Sequence, residues 1–374
     1  MTANHFSGRT IYYLPPAGNR GPMARSAPRR RPFPPFDPRG VKLSRVSFVE
    51  LWRGPVVESR HRVDAAVMNA AGELVAFAGD PRFITFLRSA AKPFQAQPLV
   101  QIMDEFGLQP RHLAIACASH NGEAIHRETV RELQTLAGVD PGWLVCGTHQ
   151  PFDAITRAEL ALRGERPGVL HHNCSGKHSG MLAACLGRGW PTEGYEHASH
   201  PLQQEITRVL TTLSGEAPQE ATDGCSVPTF ALPLTASALA FARLADPNGA
   251  PPEFRAGLER VFDAMTANPY LVAGRTRFDT LAMEATPGLL AKIGAEAFQG
   301  LAVRESRFGP LGVVVKVEDG GDRARDAAVT RVLAGLSVVS EAEAPYGGYA
   351  VVEQRNHAGL KVGEMRAGFR LQFA

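Results

Sequence analysis

Ser89 and Lys92 stand three residues apart in Arg88-Ser-Ala-Ala-Lys-Pro-Phe-Gln95. A spacing of three puts both side chains on one face of a helical turn. Pro93 would break a helix interior, so a helix here begins around Ser89 to Pro93. The positive end of such a helix favours a developing serine alkoxide and disfavours an ammonium at Lys92. That is the arrangement of an activated nucleophile. The choice of lysine is informative because the chain holds 40 lysines and arginines, of which only six are lysine, at positions 42, 92, 177, 292, 316 and 361. Arginine supplies charge but does not give up its proton, so a site needing a neutral amine has to keep lysine. Free lysine must fall by about 3 pKa units, roughly 4 kcal/mol, to act as a base near neutrality.

Two further motifs follow in order. Ser119-His120-Asn121 comes after the apolar run Leu-Ala-Ile-Ala-Cys-Ala, read as a strand leading into a turn. Lys292-Ile293-Gly294 follows Leu-Leu-Ala. The series S-x-x-K, S-x-N, K-x-G along one chain is that of serine β-lactamases and penicillin-binding proteins. Acyl transfer through a serine is the chemistry implied, with Ser89 or Ser119 as nucleophile and Lys92 and Lys292 as bases.

The five cysteines divide into two kinds. Cys117, Cys146 and Cys185 lie in apolar runs and read as core filler. Cys174, in His-His-Asn-Cys-Ser-Gly-Lys-His, and Cys225, in Asp-Gly-Cys-Ser, lie in polar, glycine-containing stretches. Two thiolates and a third donor suit zinc, with His171, His172 or His178 as the chemically natural partner, although no C-x-x-C spacing accompanies them. An odd and small number of cysteines excludes a disulfide scaffold and predicts reduced thiols.

The elements that must position these residues are legible as patterns. Short β-rich runs open the body at Val46, separated by Gly54-Pro55 and Ala71-Gly72. Helical periodicity dominates from about Pro93 to Leu289, clearest around 124–138, 200–215 and 251–267. Strand patterns return at Leu289 and close the chain after a helix near 322–336. Strands at both ends with helices between predict an α+β fold, one antiparallel sheet assembled from both termini.

Residues 1–45 differ in kind. They hold nine basic residues and one acid, a charge of +8, and eight of the 28 prolines, so the remaining 329 residues carry −5 of the total +3. Such a segment buries too little apolar area to offset its ordering entropy and is expected to be a disordered tail, leaving 46–374 as the folded domain. Its arginines alone do not argue for a nucleic-acid partner. No apolar run is long enough to span a membrane and no secretory pattern opens the chain, which is expected to be cytoplasmic.

Together the motifs RSAAKPFQ, CASHNGE, HNCSGKHSGM, DGCSVPTFALP, NPYLVAG and LLAKIGAE resemble, in order, the rhizobial-type third class of L-asparaginases, over about Val46 to Ala374. The resemblance implies a serine β-lactamase/glutaminase-like fold and hydrolysis of L-asparagine to aspartate and ammonia. It implies two serine–lysine tandems, Ser89 with Lys92 and Ser119 with Lys292. It implies a zinc ion on Cys174, Lys177 and Cys225, and substrate contacts from Arg88, His178 and Asp223. A homodimer is implied as well. The residues alone also admit a β-lactamase-like or peptidase activity, or a non-catalytic zinc-binding interaction module.

Overall fold

The computed structural model describes residues 46–374; the expected tail at 1–45 lies outside the described residues. Among the described residues twelve strands build two sheets. They are β1 (Ser47–Arg53), β2 (Val56–Asn69), β3 (Leu74–Ala78), β4 (Ile84–Phe86), β5 (Gln219–Thr222), β6 (Pro228–Pro233), β7 (Leu289–Gly294), β8 (Phe298–Val303), β9 (Leu311–Val317), β10 (Val351–Arg355), β11 (Lys361–Ala367) and β12 (Gln372–Phe373). The large antiparallel sheet runs β10-β11-β1-β2-β9-β8-β7, with β3 also pairing β2 and β12. The two chain ends therefore share one sheet, as the pattern predicts. A one-residue offset would turn the apolar side chains of these strands outward, so burial fixes register. Val63 pairs Val317 and Lys292 pairs Gly300.

Every residue of β9 is buried, so both faces of the sheet are covered there. Helices Leu234–Ala245 and Asp322–Gly335 both pack on it. The helices between the strand groups pack on one another: Pro110–Ala116 touches Ala124–Ala137, Ser175–Arg188 and Pro252–Ala267. Gly176 lets two of these helices meet, since a Cβ there would sit 2.2 Å from the Ile115 carbonyl oxygen.

One expectation needs correction. The apolar run before Ser119, read as a strand, is the helix Pro110–Ala116. Its alanines and leucine are strong helix formers, Pro110 suits a first turn, and an all-apolar run carries no period that separates strand from buried helix. The mostly helical middle also contains two strands. Strands β5 and β6 pair with β4 in a separate sheet, order β4-β6-β5. Pro228 and Pro233 bracket β6, and prolines there obscure a strand pattern.

Candidate active site

The first catalytic candidate sits at the junction of the small sheet and the helices. Leu87 N–H donates to the Phe230 carbonyl of β6 at 2.9 Å. The chain then turns through Arg88, whose φ of +50° is a sparsely populated conformation for an arginine. A short 3-10 turn, Arg88–Ala91, carries half-buried Ser89 and leads into the α-turn Lys92–Gln95 with Pro93 in its first positions. The helix begins where the proline rule places it. It is only four residues long, so burial and neighbouring charge, not an extended helix dipole, set the local electrostatics.

Ser119 arrives from a different direction. Its backbone N–H donates to Val272 O at 2.9 Å, and Asn121 N–H donates to Ala273 O at 2.8 Å, which ties the S-x-N segment to the NPYLVAG segment. Lys292 comes from β7, where Asp279 anchors the strand by accepting from Ile293 N–H at 2.8 Å and from Gln299 Nε2 at 2.9 Å. Gly294 lets β7 lie against the Ser89 turn, for a Cβ there would fall 2.3 Å from Leu87 O.

The two lysines meet on one hydroxyl. Lys92 Nζ is 3.1 Å and Lys292 Nζ 2.8 Å from Ser119 Oγ. Lys92 Nζ also donates to the carbonyls of Ala118, at 2.5 Å, and Asn173, at 3.4 Å. Lys292 Nζ donates to Ile293 O at 3.0 Å. Lys92, Lys292 and Ser119 are all buried. Burial first, and then the positive charge of Lys92, pull Lys292 down to about 7. The structure thus joins Ser119, Lys92 and Lys292 in one hydrogen-bonded unit. Ser89 is on the same turn as Lys92, whose N–H donates to Ser89 O, but among the described residues Lys92 Nζ bonds Ser119 and not Ser89 Oγ.

Another buried lysine, Lys177, lies among the sulphurs. Cys174 caps the helix Ser175–Arg188 and Lys177 occupies its first turn. Cys225 is held in the turn Asp223–Val227, where Ser226 has φ +79°. Lys177 Nζ is 2.9 Å from Cys225 Sγ, and Cys225 Sγ is 3.4 Å from Asp223 Oδ2. Hydrogen bonding from Cys225 holds Cys174 well below an ordinary thiol, helped by Lys92 and Lys177 against burial. Cys225 is raised in turn by its bond to Cys174 and by burial. For Lys177 burial acts against the charge, but Cys225, Cys174 and Asp223 outweigh it and hold its proton. Of the donors left open by chemistry alone, His172 is turned to Cys174 N–H and His171 to Gly168 N–H, so the amine is the group at the sulphur.

Among the described residues no three His, Cys, Asp or Glu side chains assemble into a metal site. Here two sulphurs and an amine converge instead, a soft, buried donor set that fits zinc. All five cysteines are free and buried, and burial pushes Cys117, Cys146 and Cys185 up to about 12, as inert core thiols should be.

Of the expected substrate contacts, Arg88 and Asp223 hold each other, Nε to Oδ1 at 2.6 Å. His178 is fully buried and its Nδ1 is 2.6 Å from Tyr195 Oη, facing the helical core. Asn121 does not reach the lysines either. Its amide nitrogen donates to Glu123 Oε1 and Arg275 O, and its oxygen accepts from Arg277. The carbonyls of Ala118 and Asn173 were not legible in the sequence, because a backbone acceptor leaves no residue-type signal, and Asp279 was not because its partner is a backbone N–H 14 positions along the chain.

Comparison with known proteins agrees with the motifs. A family model described as L-asparaginase II matches residues 49–367. The chain belongs to the L-asparaginase II family. Membership makes it an amidohydrolase acting on a small amide. No curated protein matches it. Among solved structures it is similar to Mglu in its native form, at 15% identity over 79% of this chain and 69% of that one, with a TM-score of 0.41. It is also similar to a Bacillus glutaminase, at 14% identity, 69% and 85% coverage and a TM-score of 0.38. A β-lactamase from Mycobacterium bovis shares 15% identity over 74% of this chain and 95% of that one, with a TM-score of 0.38. The antiparallel sheet and intervening helices of this L-asparaginase II family member are the α+β fold expected from the sequence. No helix among the described residues is long and apolar enough to cross a membrane.

Proposed function

We propose that the chain is an L-asparagine amidohydrolase working through a serine ester. The observation that carries this reading is the convergence of Lys92 and Lys292 on Ser119 Oγ. Two buried amines around one hydroxyl form a unit that can accept a proton, pass it across Ser119 and return it. Ser89 is the nucleophile in this reading, because it is the half-buried hydroxyl on the Lys92 turn while Ser119 is enclosed. Catalytic hydrogen bonds commonly close only when substrate is bound, which accommodates the separate Ser89 Oγ.

Ser89 Oγ forms a bond to the side-chain amide carbon and its proton passes into the unit of Lys92, Ser119 and Lys292, whose amine poised to take it is Lys292. The tetrahedral intermediate collapses as the amide nitrogen takes a proton back from the unit and departs as ammonia. A β-aspartyl ester on Ser89 remains. Water, losing its proton to the same unit, attacks the ester and releases aspartate, and Ser89 regains its proton. Cys174, Lys177 and Cys225 would hold a zinc ion, which, when bound, supplies a fixed positive charge in place of the Lys177 proton. Arg88 and Asp223 form the adjoining wall. The proposed active form is a homodimer.

The test is ammonium release from L-asparagine by the purified protein. Ser89→Ala should abolish it while leaving the thermal transition in place. Full activity in Ser89→Ala would transfer the nucleophile to Ser119, and no release by the unaltered protein would reject the activity.

A further inference from the structure

An amino-acid amide carries an ionised α-carboxylate that needs a cation, and the expected cation, Arg88, is already neutralised by Asp223 at 2.6 Å. Arg275 is likewise engaged, its side chain 3.5 Å from Glu123 Oε2 and 3.8 Å from Asp153 Oδ1. Lys92 and Lys292 are consumed in the proton-handling unit.

Arg277 is different. It is the N-cap of the helix Phe278–Ala285, whose Asp279 anchors Lys292's strand. Its side chain is half-buried and fixed in two ways. Nη1 donates to Asn121 Oδ1 at 3.0 Å, and the guanidinium carbon lies 5.5 Å from the centroid of the Phe152 ring. Asn121 is two residues from Ser119, so this guanidinium shares the backbone segment of the central hydroxyl. Among the described residues no carboxylate lies within ion-pair distance of it; its burial disfavours the charge it carries, and Asp279, Asp326 and Asp322 favour that charge only from farther off. Its charge is felt at Lys292, where it adds to the lowering. A desolvated, oriented guanidinium with no carboxylate paired to it, next to the reacting groups, is the feature that planar carboxylate recognition requires.

We propose that Arg277 binds the α-carboxylate of the substrate and thereby restricts the enzyme to free amino-acid amides, excluding amides that lack this carboxylate. This rests on the asparaginase reading for the identity of the reacting amide, but not for the anion site itself. The S-x-N motif then has a role that its spacing did not suggest: Asn121 orients the guanidinium and does not touch the scissile amide.

The experiment compares L-asparagine with β-alaninamide, which is asparagine without its α-carboxylate, in the full-length protein and in Arg277→Met and Arg277→Lys. The unaltered enzyme should prefer asparagine. In Arg277→Met that preference, as a ratio of kcat/KM values, should fall about a hundredfold, chiefly through KM. Arg277→Lys, which keeps charge but loses the planar fork, should fall between. Equal losses on both substrates, or an unchanged ratio, would overturn the proposal. Calorimetric titration with L-aspartate separates this from the catalytic reading. Aspartate binding weakened about a hundredfold in Arg277→Met supports the anion site even if asparagine is not hydrolysed. Equal binding by the two proteins, or no binding by the unaltered one, overturns it.

Discussion

Lys292 and Lys177 are the same side chain, buried to the same degree, and the protein pushes them in opposite directions. Lys292 is surrounded by a hydroxyl, a carbonyl and a second lysine, and it falls to about 7. Lys177 is surrounded by two sulphurs and a carboxylate, and it rises. Burial disfavours the ammonium in both places, so burial is not what separates them. The sign is decided by the nearest charge, a cation in one case and thiolate or carboxylate in the other. One site thereby holds an amine that loses its proton near neutrality. The other holds its proton, which a metal ion would have to displace, because a coordinating amine must be neutral.

Exchanging each lysine for methionine should break this comparison. Lys292→Met should reduce ammonium release by roughly a thousandfold or more, in keeping with loss of a general base from a coupled unit. Lys177→Met should remove metal measured by elemental analysis of chelator-free protein while leaving Ser119 and its two lysines in place. If the two variants lost activity and metal alike, the two lysines would be one site and the distinction would be void.

The same comparison predicts a stability effect of smaller size. Lys292 in the folded chain releases its proton near 7, whereas unfolded lysine holds it to about 10.5. The unfolded chain therefore binds more protons across that window, and stability rises with pH through it. The shift corresponds to a cost on the order of 5 kcal/mol that is full below pH 7 and gone above about 10.5. Lys292→Met should accordingly raise the melting temperature by a few degrees at pH 6 and by less at pH 10, read by differential scanning calorimetry. An equal change at both pH values would show that the amine is not displaced.

The contrast also shows what a sequence can reveal. The scarcity of lysine pointed to positions 92 and 292 before any fold was known, since arginine would serve wherever charge alone was needed, whereas Lys177 entered only through the family resemblance. The strands at both ends and the helices near 124, 200 and 252 were legible because their apolar residues recur with a period. The helix Pro110–Ala116 was not, because its stretch from Leu113 onward is an unbroken apolar and buried run. The pairing of Lys92 with Ser119 was not either. Nothing in the spacing of Ser89 and Lys92 tells which hydroxyl a flexible amine will reach once a third segment is folded against it. The mutual ion pair of Arg88 and Asp223 was not legible either, because it depends on two segments 135 positions apart. Arg277 carried no signal because arginine is the default cation of this chain.

The most direct measurement of the central claim follows from there being six lysines. Protein labelled with 13C at lysine Cε, freed of metal, should show few enough resonances to follow individually by NMR from pH 5 to 11. The account predicts that one titrates near pH 7 and is missing from Lys292→Met, while the resonance missing from Lys177→Met does not titrate below 10.5. If every lysine titrated above pH 10, no amine around Ser119 would be available as a base and the account would be contradicted.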